Sequence, residues 1–141
     1  KVIIWANYVR SIEKIILTLQ KKYGTDSVVA IYGKIPAKDR PGINHRFQND
    51  NAVKFFVGNP QTAGYGINLT SANTVIYYSN NYNLEYRQQS EDRAHRAGQK
   101  GQVLYIDLVC KNTVDELIIK SLKNKIQISS KTLGEEIDNY L

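Results

Sequence analysis

The stretch Gln89-Ser-Glu-Asp-Arg-Ala-His-Arg-Ala-Gly-Gln99 has the pattern of a helix that Gly98 ends. Steps of four and three residues stay on one helical face, and one such face carries Glu85, Gln89, Arg93 and Arg96. The adjacent stripe holds mostly small residues, which let the helix pack closely: Tyr86, Ser90, Ala94 and Ala97. Small residues do not explain two arginines held one turn apart. Two guanidinium groups at that spacing suit a polyanion such as a triphosphate, because each offers a planar fork of donors and keeps its charge.

The same spacing also fits a solvated helix surface. Glu91 and His95 are four residues apart, and so are Asp92 and Arg96. Pairs of this kind on an exposed helix each contribute only about 0.3–0.5 kcal/mol to stability. The spacing alone therefore leaves two interpretations open, a salt-bridged face that contacts only water and an anion-binding site.

The rest of the chain alternates between apolar runs and amphipathic runs. The apolar runs predict five strands, at residues 2–6, 28–32, 53–57, 74–79 and 103–110. The runs with helical spacing predict four helices, at residues 9–23, about 39–47, 83–97 and 114 to about 128. The predicted caps are Asp39, Asn83 and the capping box Thr113-Val-Asp-Glu116. Apolar strands that alternate with helices indicate an α/β fold with three layers, α-β-α, in which helices cover both faces of a parallel sheet.

A chain of 141 residues with 42% hydrophobic and 23% charged residues is expected to fold as one globular domain. Its net charge of +6 permits a polyanionic partner. Cys110 is the only cysteine, which excludes a disulfide within the chain, and its apolar surroundings predict a buried core residue. No apolar run approaches the roughly 18 residues of a membrane span. The chain opens at Lys1 directly into a strand-like run without a leader, and we expect it to be a piece of a longer protein.

In parallel sheets, ligands bind beside the loops that follow the carboxyl ends of the strands. The candidate loops are expected to share one edge with the start of the arginine-bearing helix, and they are residues 7–8, 33–34, 58–68 and 80–83. The long loop contains Gly64-Tyr-Gly66, a pattern that also fits a plain tight crossover. Tyr65 and Tyr82 lie in these loops and are able to stack on bases, with Tyr65 the stronger candidate. His45 and His95 lack the spacing of a metal site, so no metal site is predicted.

The string Gln-x-Glu-Asp-Arg-Ala-His-Arg-x-Gly-Gln at residues 89–99 resembles, at nine fixed positions, the sixth helicase motif of the Swi/Snf-type ATPases of superfamily 2. The resemblance covers residues 2 to about 128 and implies the C-terminal RecA-like lobe of such an enzyme. In that family the two arginines of the motif reach across a cleft between two lobes to the ATP phosphates, the second as an arginine finger. Those catalytic roles fall on Arg93 and Arg96, and Gln89 is expected to contact the nucleotide or to couple the lobes.

A second string, Thr62-Ala-Gly-Tyr-Gly-Ile-Asn-Leu-Thr70, resembles the fifth motif of the same family. Its glycines let the backbone approach phosphates, and an asparagine ties the loop down. The resemblance makes Gly66 and Asn68 candidates for nucleotide binding. The expected contacts with nucleic-acid phosphates, which the net positive charge also favours, are Lys34, Thr62, Gly64 and Tyr65.

Two stretches depart from the family pattern. Pro60-Gln61 stand where the fifth motif usually has Thr-Arg, which removes an arginine that contacts DNA, and Trp5-Ala-Asn-Tyr8 replaces the usual fourth motif. Both variants are similar to phage or bacterial relatives, which implies a cytoplasmic location, whereas a eukaryotic source would imply the nucleus.

Two strings that triphosphate hydrolysis needs do not occur in these 141 residues, a Gly-x-x-x-x-Gly-Lys-Ser/Thr loop and an Asp-Glu-x-His motif. We therefore expect ATP and Mg²⁺ to be held mainly by an N-terminal lobe of the same protein, with duplex DNA as the second partner and no membrane. Residues 1–128 are expected to form the helicase C-terminal lobe and residues 129–141 an extension. Two alternatives remain, a lobe of a strand-separating superfamily 2 helicase acting on DNA or RNA, and a non-catalytic α/β module that binds nucleic acid.

Overall fold

The computed structural model describes residues 1–63 and 66–133. In chain order these residues form β1 (Val2–Trp5), α1 (Val9–Tyr23), β2 (Val28–Ile31), α2 (Arg40–Asn49), β3 (Phe55–Gly58), β4 (Thr74–Tyr77), α3 (Leu84–Ala94), β5 (Leu104–Asp107) and α4 (Val114–Leu133). The five strands pair in parallel, in the order β2-β3-β1-β4-β5. The predicted α/β class with a parallel sheet is therefore confirmed.

Alternate residues of β1 point into two different cores, as the geometry of a strand requires. Ile3 and Trp5 belong to the larger core, which also contains Phe47 of α2 and Ala94 of α3. Ile4 belongs to the smaller core, which contains the inner face of α1. Helices thus cover both faces of the sheet and form the predicted three layers, with α2 and α3 on one face and α1 on the other.

Local signals place the first two helices well. α1 has the predicted bounds, and Gly24 ends it with a φ of 95°, a conformation that favours glycine. α2 has Pro41 in its first turn as expected, and it continues to Asn49, beyond its predicted end. Asp39, the predicted cap, lies in a short 3-10 turn before α2 and makes no capping hydrogen bond with its side chain.

The C-terminal part of the sheet is less buried than the sequence predicts. β5 covers Leu104–Asp107 instead of residues 103–110, and it lies at the end of the observed strand order. Leu104 is 59% exposed, and Leu108 and Val109 beyond the strand are also exposed. Cys110, expected in the core, is exposed as well. An edge strand has a neighbour on one side only, so an apolar run there does not ensure burial.

The start of α4 is capped much as expected. The hydroxyl oxygen of Thr113 accepts a hydrogen bond from the amide of Asp115 at 3.2 Å. The carboxylate of Asp115, in place of that of Glu116, reaches back to the amide of Cys110 at 3.1 Å. α4 runs to Leu133, past its predicted end near residue 128. The predicted short helix or frayed end over the last ten residues falls largely on residues 134–141, outside the described residues.

The strand ends define two edges of the sheet. At the carboxyl edge the chain leaves β1 at Ala6 and β3 at Asn59. At the amino edge it enters β1 and β4 beside Lys1 and Asn73, where the Asn73 amide donates to the Lys1 carbonyl oxygen at 3.3 Å. Helices α2 and α3 return between parallel strands, so each begins near the carboxyl edge and ends near the amino edge. The connection between β3 and β4, residues 59–73, is named the β3–β4 loop, and its described part passes from one edge to the other without helix or strand.

Candidate functional site

α3 ends earlier than predicted. Arg93 lies in its last turn, Ala94 is its last residue, and Arg96 lies in the segment that follows. The predicted continuation of the helix to Gly98 is therefore wrong, and the two arginines do not share one helical face. Gly98 instead forms a turn in which the Gln99 amide donates to the Arg96 carbonyl oxygen at 3.0 Å. Its φ of 106° is the conformation that such a turn requires of glycine.

Tertiary hydrogen bonds explain why α3 stops there. The amide of Leu69, in the β3–β4 loop, donates to the carbonyl oxygen of Arg93 at 3.0 Å. The side-chain amide of Gln99 donates to the carbonyl oxygens of Ala94 at 3.1 Å and Ala72 at 2.7 Å. These partners satisfy carbonyls that the end of a helix leaves unpaired. The position of both arginines is thus fixed by the loop as well as by the helix.

Residues 93–99 are named the arginine segment. The guanidinium groups of its two arginines, Arg93 and Arg96, interact electrostatically with each other. Arg93 is partly buried and Arg96 is exposed. Burial lowers the pKa of Arg93, the charge of Arg96 lowers it further, and Asp92 acts in the opposite direction. Among residues 1–63 and 66–133 no acidic side chain forms an ion pair with Arg96, so the alternative pairing with Asp92 is not present. Two neighbouring cations of this kind favour an anion.

Gln89 lies one helical turn before Arg93 on the predicted face of α3. Its side-chain amide donates to a carboxylate oxygen of Glu85 at 2.9 Å. This contact is exposed, so a ligand that binds Gln89 would have to compete with Glu85.

The second half of the β3–β4 loop carries the other two candidates for nucleotide binding. Gly66 has a φ of 81°, which a residue with a side chain rarely adopts. Asn68 ties the loop down at two points. Its amide donates to Oδ1 of Asn44 at 3.3 Å, and its own Oδ1 accepts the amide of Thr70 at 3.1 Å. Because Leu69 is bonded to the backbone of α3, these residues lie beside the arginine segment.

The candidates for nucleic-acid binding lie nearer the carboxyl edge. The carbonyl oxygen of Thr62 accepts a hydrogen bond from Nη1 of Arg40 at 3.0 Å. Lys34 is exposed, and its ammonium forms an ion pair with Glu13 at 2.6 Å that raises the pKa of Lys34. A phosphate that binds Lys34 would have to compete with Glu13. The two remaining candidates lie outside the described residues, and they are Gly64 and Tyr65.

The candidate residues therefore form two groups instead of one. The start of α3 lies at the carboxyl edge as expected, but Arg93 lies near the far end of this 11-residue helix, about 14 Å along its axis from Leu84. Lys34 and Thr62 belong to the carboxyl edge, and Asn68 belongs with the arginine segment near the amino edge. The β3–β4 loop joins the two groups.

The structure contains a buried charge network that the sequence pattern did not predict. Arg87 in α3 is 5% exposed, and its guanidinium contacts the Asp107 carboxylate at 2.5 and 3.1 Å, Glu91 at 2.6 Å and the ring of Tyr77 at 3.6 Å. Burial lowers the pKa of Arg87, but its hydrogen bonds with Asp107 and Glu91 outweigh burial, so that the pKa is raised. Glu91 thus pairs with Arg87 and not with His95, the partner that spacing suggested. The available signal was the spacing of Arg87 and Glu91 by four residues.

Asparagines connect the strand ends at the carboxyl edge. Nδ2 of Asn59 donates to the backbone carbonyl oxygen of Asn7 at 3.0 Å, and Nδ2 of Asn81 donates to Oδ1 of Asn7 at 3.4 Å. Nδ2 of Asn80 donates to Asp107 at 2.7 Å. These bonds join the loops after β1, β3 and β4 to one another and to the last residue of β5, so they hold the strand ends together at the carboxyl edge.

The chemistry of the described residues suits phosphates better than a metal ion. Within them, no group of three or more His, Cys, Asp or Glu side chains is placed to hold a metal. The donors that the arginine segment offers are guanidinium N–H groups, which bind phosphate oxygens. In the described part of the chain, no helix has both the length and the apolar character that crossing a membrane requires.

Comparison with known proteins connects this arrangement to a family. The helicase conserved C-terminal domain family matches residues 1–98. The human chromatin-remodeling ATPase INO80 is 35% identical to the chain over 128 residues, which are 91% of this chain and 8% of that protein. The Saccharomyces cerevisiae ATP-dependent helicase FUN30 is 31% identical over 119 residues, 84% of this chain and 10% of its own length.

A solved structure shares the fold. The crystal structure of the C-terminal part of the Fun30 ATPase domain matches with a TM-score of 0.79 and 27% sequence identity. The match covers 86% of this chain and 38% of that one. The two chains therefore have the same arrangement of strands and helices over most of this sequence.

The parallel five-stranded sheet and these matches define the C-terminal lobe of a superfamily 2 ATPase. Within that class, the chain belongs to the helicase conserved C-terminal domain family, and its relatives are Swi/Snf-type ATPases. The resemblance that the two motifs indicated is thus confirmed. The chain spans about a tenth of the length of the two relatives named above. Both are eukaryotic, and the expected similarity to phage or bacterial variants stays a prediction.

Proposed function

We propose that this chain is the second ATPase lobe of a Swi/Snf-type DNA-dependent ATPase, to which it contributes an arginine finger and contacts with DNA phosphates. ATP and Mg²⁺ would be held mainly by an N-terminal lobe of the same protein, on the other side of a cleft. The observation that carries the proposal is the placement of Arg93 and Arg96 together at the end of α3, with the backbone held by Leu69 and Gln99. The names of the relatives, an ATPase and an ATP-dependent helicase, support the same activity.

The two arginines have different surroundings and are assigned different roles. Arg96 is exposed and forms no ion pair within the described residues, so its guanidinium is able to reach a phosphate that lies outside this lobe. It would stabilise the charge that develops on the transferring phosphoryl group, which ATP supplies when bound. Arg93 is partly buried and would hold the phosphates in the ground state as well. The nucleotide contacts proposed beside them are Gln89, Gly66 and Asn68.

The other group of candidate residues would contact nucleic acid. The phosphates of the nucleic-acid backbone would be bound by Lys34, in the loop after β2, and by Thr62, Gly64 and Tyr65 of the β3–β4 loop. The net charge of +6 favours such contacts. The chromatin-remodeling activity in the name of the human relative favours duplex DNA over RNA, and with it a nuclear location. The β3–β4 loop joins the two groups, so closure of the lobes on ATP would move both groups as one body along DNA.

Two alternative functions can be distinguished from this proposal by experiment. A strand-separating helicase would also need Arg93 and Arg96, and a strand-displacement assay with the full-length protein distinguishes it from a translocase. A non-catalytic binding module would need neither arginine for its function, so loss of Arg96 would change nothing.

The deciding experiment is Arg96→Ala in the full-length protein, with ATP turnover measured at saturating duplex DNA. An arginine finger contributes about 10³–10⁵ in rate, so we expect turnover to fall by at least about 10³-fold. Near-normal turnover would overturn the proposed role of this lobe in hydrolysis.

A further inference from the structure

One side of α2 carries a row of polar residues, Arg40, Asn44 and Gln48. They are spaced by four residues, so their side chains leave the helix in the same direction. All three are partly buried, whereas His45 and Arg46 on other sides of the helix are exposed. We name the three residues the α2 clamp because each contacts the β3–β4 loop.

The first two members of the clamp hold the loop at separate points. Arg40 donates to the carbonyl oxygen of Thr62 at 3.0 Å and also to that of Ile35 at 3.2 Å, which connects the loop that carries Lys34. Asn44 accepts the amide of Asn68 at 3.3 Å. Both contacts are with backbone atoms, so they fix the path of the loop whatever its side chains are.

Gln48 holds the end of the same loop with both ends of its amide. Its Oε1 accepts the amide of Ser71 at 2.9 Å, and its Nε2 donates to Oγ1 of Thr70 at 3.1 Å. The next residue, Ala72, accepts the side chain of Gln99 from the arginine segment. The α2 clamp therefore contacts the β3–β4 loop at Thr62, near the carboxyl edge, and again from Asn68 to Ser71, beside the arginine segment.

The clamp is not what attaches α2 to the sheet. Phe47 is fully buried, and its ring meets that of Phe56 edge-to-face at 5.6 Å, while Ile43 packs against the same core. The loop, by contrast, has no helix or strand in its described part, so its buried backbone groups need side-chain partners. The polar row of α2 therefore stabilises the β3–β4 loop more than it stabilises the packing of α2 on the sheet.

We propose that Arg40, Asn44 and Gln48 are positioning residues that keep the two ends of the β3–β4 loop at a fixed distance. Arg40 holds Thr62 at the nucleic-acid end, and Asn44 and Gln48 hold Asn68, Thr70 and Ser71 at the end beside the arginine segment. Binding of DNA at one end of the loop would then stimulate hydrolysis at the other end. This inference rests on the proposed function. Release of a clamp contact leaves the arginine segment attached through Leu69 and Gln99. Hydrolysis without DNA should therefore persist while stimulation by DNA falls.

The functional test uses Arg40→Leu, which removes the donors to Thr62 and Ile35, and Arg40→Lys, which keeps a cationic donor. Arg46→Leu is the matched control, because it removes the same charge from an exposed side of the same helix. In the full-length protein, turnover is measured without DNA and at saturating duplex DNA. Because a displacement of about 1 Å costs on the order of 10²-fold in rate, we expect Arg40→Leu to lower the stimulated-to-basal ratio at least about tenfold. Arg40→Lys should retain most of the ratio, and Arg46→Leu should stay within about twofold of the wild type.

Three outcomes of this test would overturn the proposal. They are an unchanged ratio in Arg40→Leu, an Arg46→Leu control as impaired as Arg40→Leu, and equal losses of basal and stimulated turnover in Arg40→Leu. None of these three outcomes tests the arginine finger, which the Arg96→Ala experiment tests separately.

The structural test is independent of any activity. In the 141-residue chain, amide hydrogen exchange should become faster at Asn68 in Asn44→Leu and at Ser71 in Gln48→Leu. The Leu69 amide, which is bonded to Arg93, should keep its protection in both variants. Unchanged exchange at Asn68 and Ser71 would show that the clamp does not hold the loop, whether or not the chain belongs to a DNA-dependent ATPase.

Discussion

The amide of Leu69 donates a hydrogen bond to the carbonyl oxygen of Arg93 at 3.0 Å and so joins the β3–β4 loop to the end of α3. The bond satisfies a carbonyl that the helix leaves without a partner. It also fixes the backbone from which the side chains of Arg93 and Arg96 project. Since the bond involves only backbone atoms, substitution of either arginine side chain should leave this hydrogen bond in place.

Arg96→Ala should act on the rate and not on stability. Its exposed side chain forms no ion pair in the described residues, so the melting temperature of the 141-residue chain should be nearly unchanged. In the full-length protein, a turnover loss of at least about 10³-fold corresponds to roughly 4 kcal/mol of barrier, while ATP binding weakens far less. Arg96→Lys should not restore turnover, because a point charge lacks the planar fork of donors.

Lys100→Ala provides the control for the Arg96 variants, because it removes an exposed cation from the same part of the chain. Turnover should be retained in this variant. Equal losses in Lys100→Ala and Arg96→Ala would mean that general positive charge, and not a finger, supports hydrolysis.

Arg93→Ala should lower turnover nearly as much as Arg96→Ala does. The loss should be divided differently between nucleotide binding and the rate of the chemical step. Its guanidinium is partly buried beside Arg96, and in our proposal it contacts the phosphates before the reaction as well as during it. We therefore expect a larger share of the loss to be weaker nucleotide binding. Binding of a non-hydrolysable ATP analogue and single-turnover rates measure the two shares. Wild-type affinity for the analogue would argue against this role.

The 141-residue chain alone should fold but not hydrolyse ATP. The sequence contains neither a Gly-x-x-x-x-Gly-Lys-Ser/Thr loop nor an Asp-Glu-x-His motif, and both are needed to hold the phosphates and magnesium. Nucleotide binding should be at most weak, with a Kd in roughly the millimolar range, because one lobe supplies only part of the contacts. Steady release of phosphate by the pure chain would contradict this expectation.

The sequence was sufficient for α1 but not for the end of α3. The apolar spacing of α1 and its terminal Gly24 are local signals, so the predicted bounds agree with the structure. The residues up to Ala97 also favour a helix, yet α3 stops at Ala94. The reason is tertiary, because the Gln99 side chain binds Ala72, 27 positions away in the sequence. A local pattern contains no information about such a partner.

The sequence names candidate residues for the site but does not predict their arrangement. Arg93 and Arg96 can be singled out because their motif is specific, and their roles stay predictions. Their distance from Lys34 depends on the direction in which α3 crosses the sheet. The pairing of Arg87 with Asp107 depends on the strand order that places β5 beside β4. Neither fact follows from the spacing of residues along the chain.

Arg87→Ala should be strongly destabilising. The side chain is 5% exposed, and its loss would leave the carboxylates of Asp107 and Glu91 partly buried without their cation. Removal of one partner from a buried ion pair typically costs about 3–5 kcal/mol. Urea denaturation of the 141-residue chain measures the difference, with Arg10→Ala as the control because Arg10 is an exposed arginine of α1. A loss below about 1 kcal/mol for Arg87→Ala would show that the network does not hold α3 against β4 and β5.

Lys34 and Glu13 should have opposite effects on the binding of DNA by the chain. Glu13 holds the Lys34 ammonium at 2.6 Å, so Glu13→Gln should free that charge and strengthen binding. Lys34→Ala should weaken binding equally for unrelated duplexes and lower the slope of log affinity against log salt concentration by about 1. The double variant should bind like Lys34→Ala, and Lys21→Ala, at the far end of α1, should change binding less. Fluorescence anisotropy over a range of salt concentrations measures all four, and a Glu13→Gln effect that persists without Lys34 would remove Lys34 from the proposed DNA contacts.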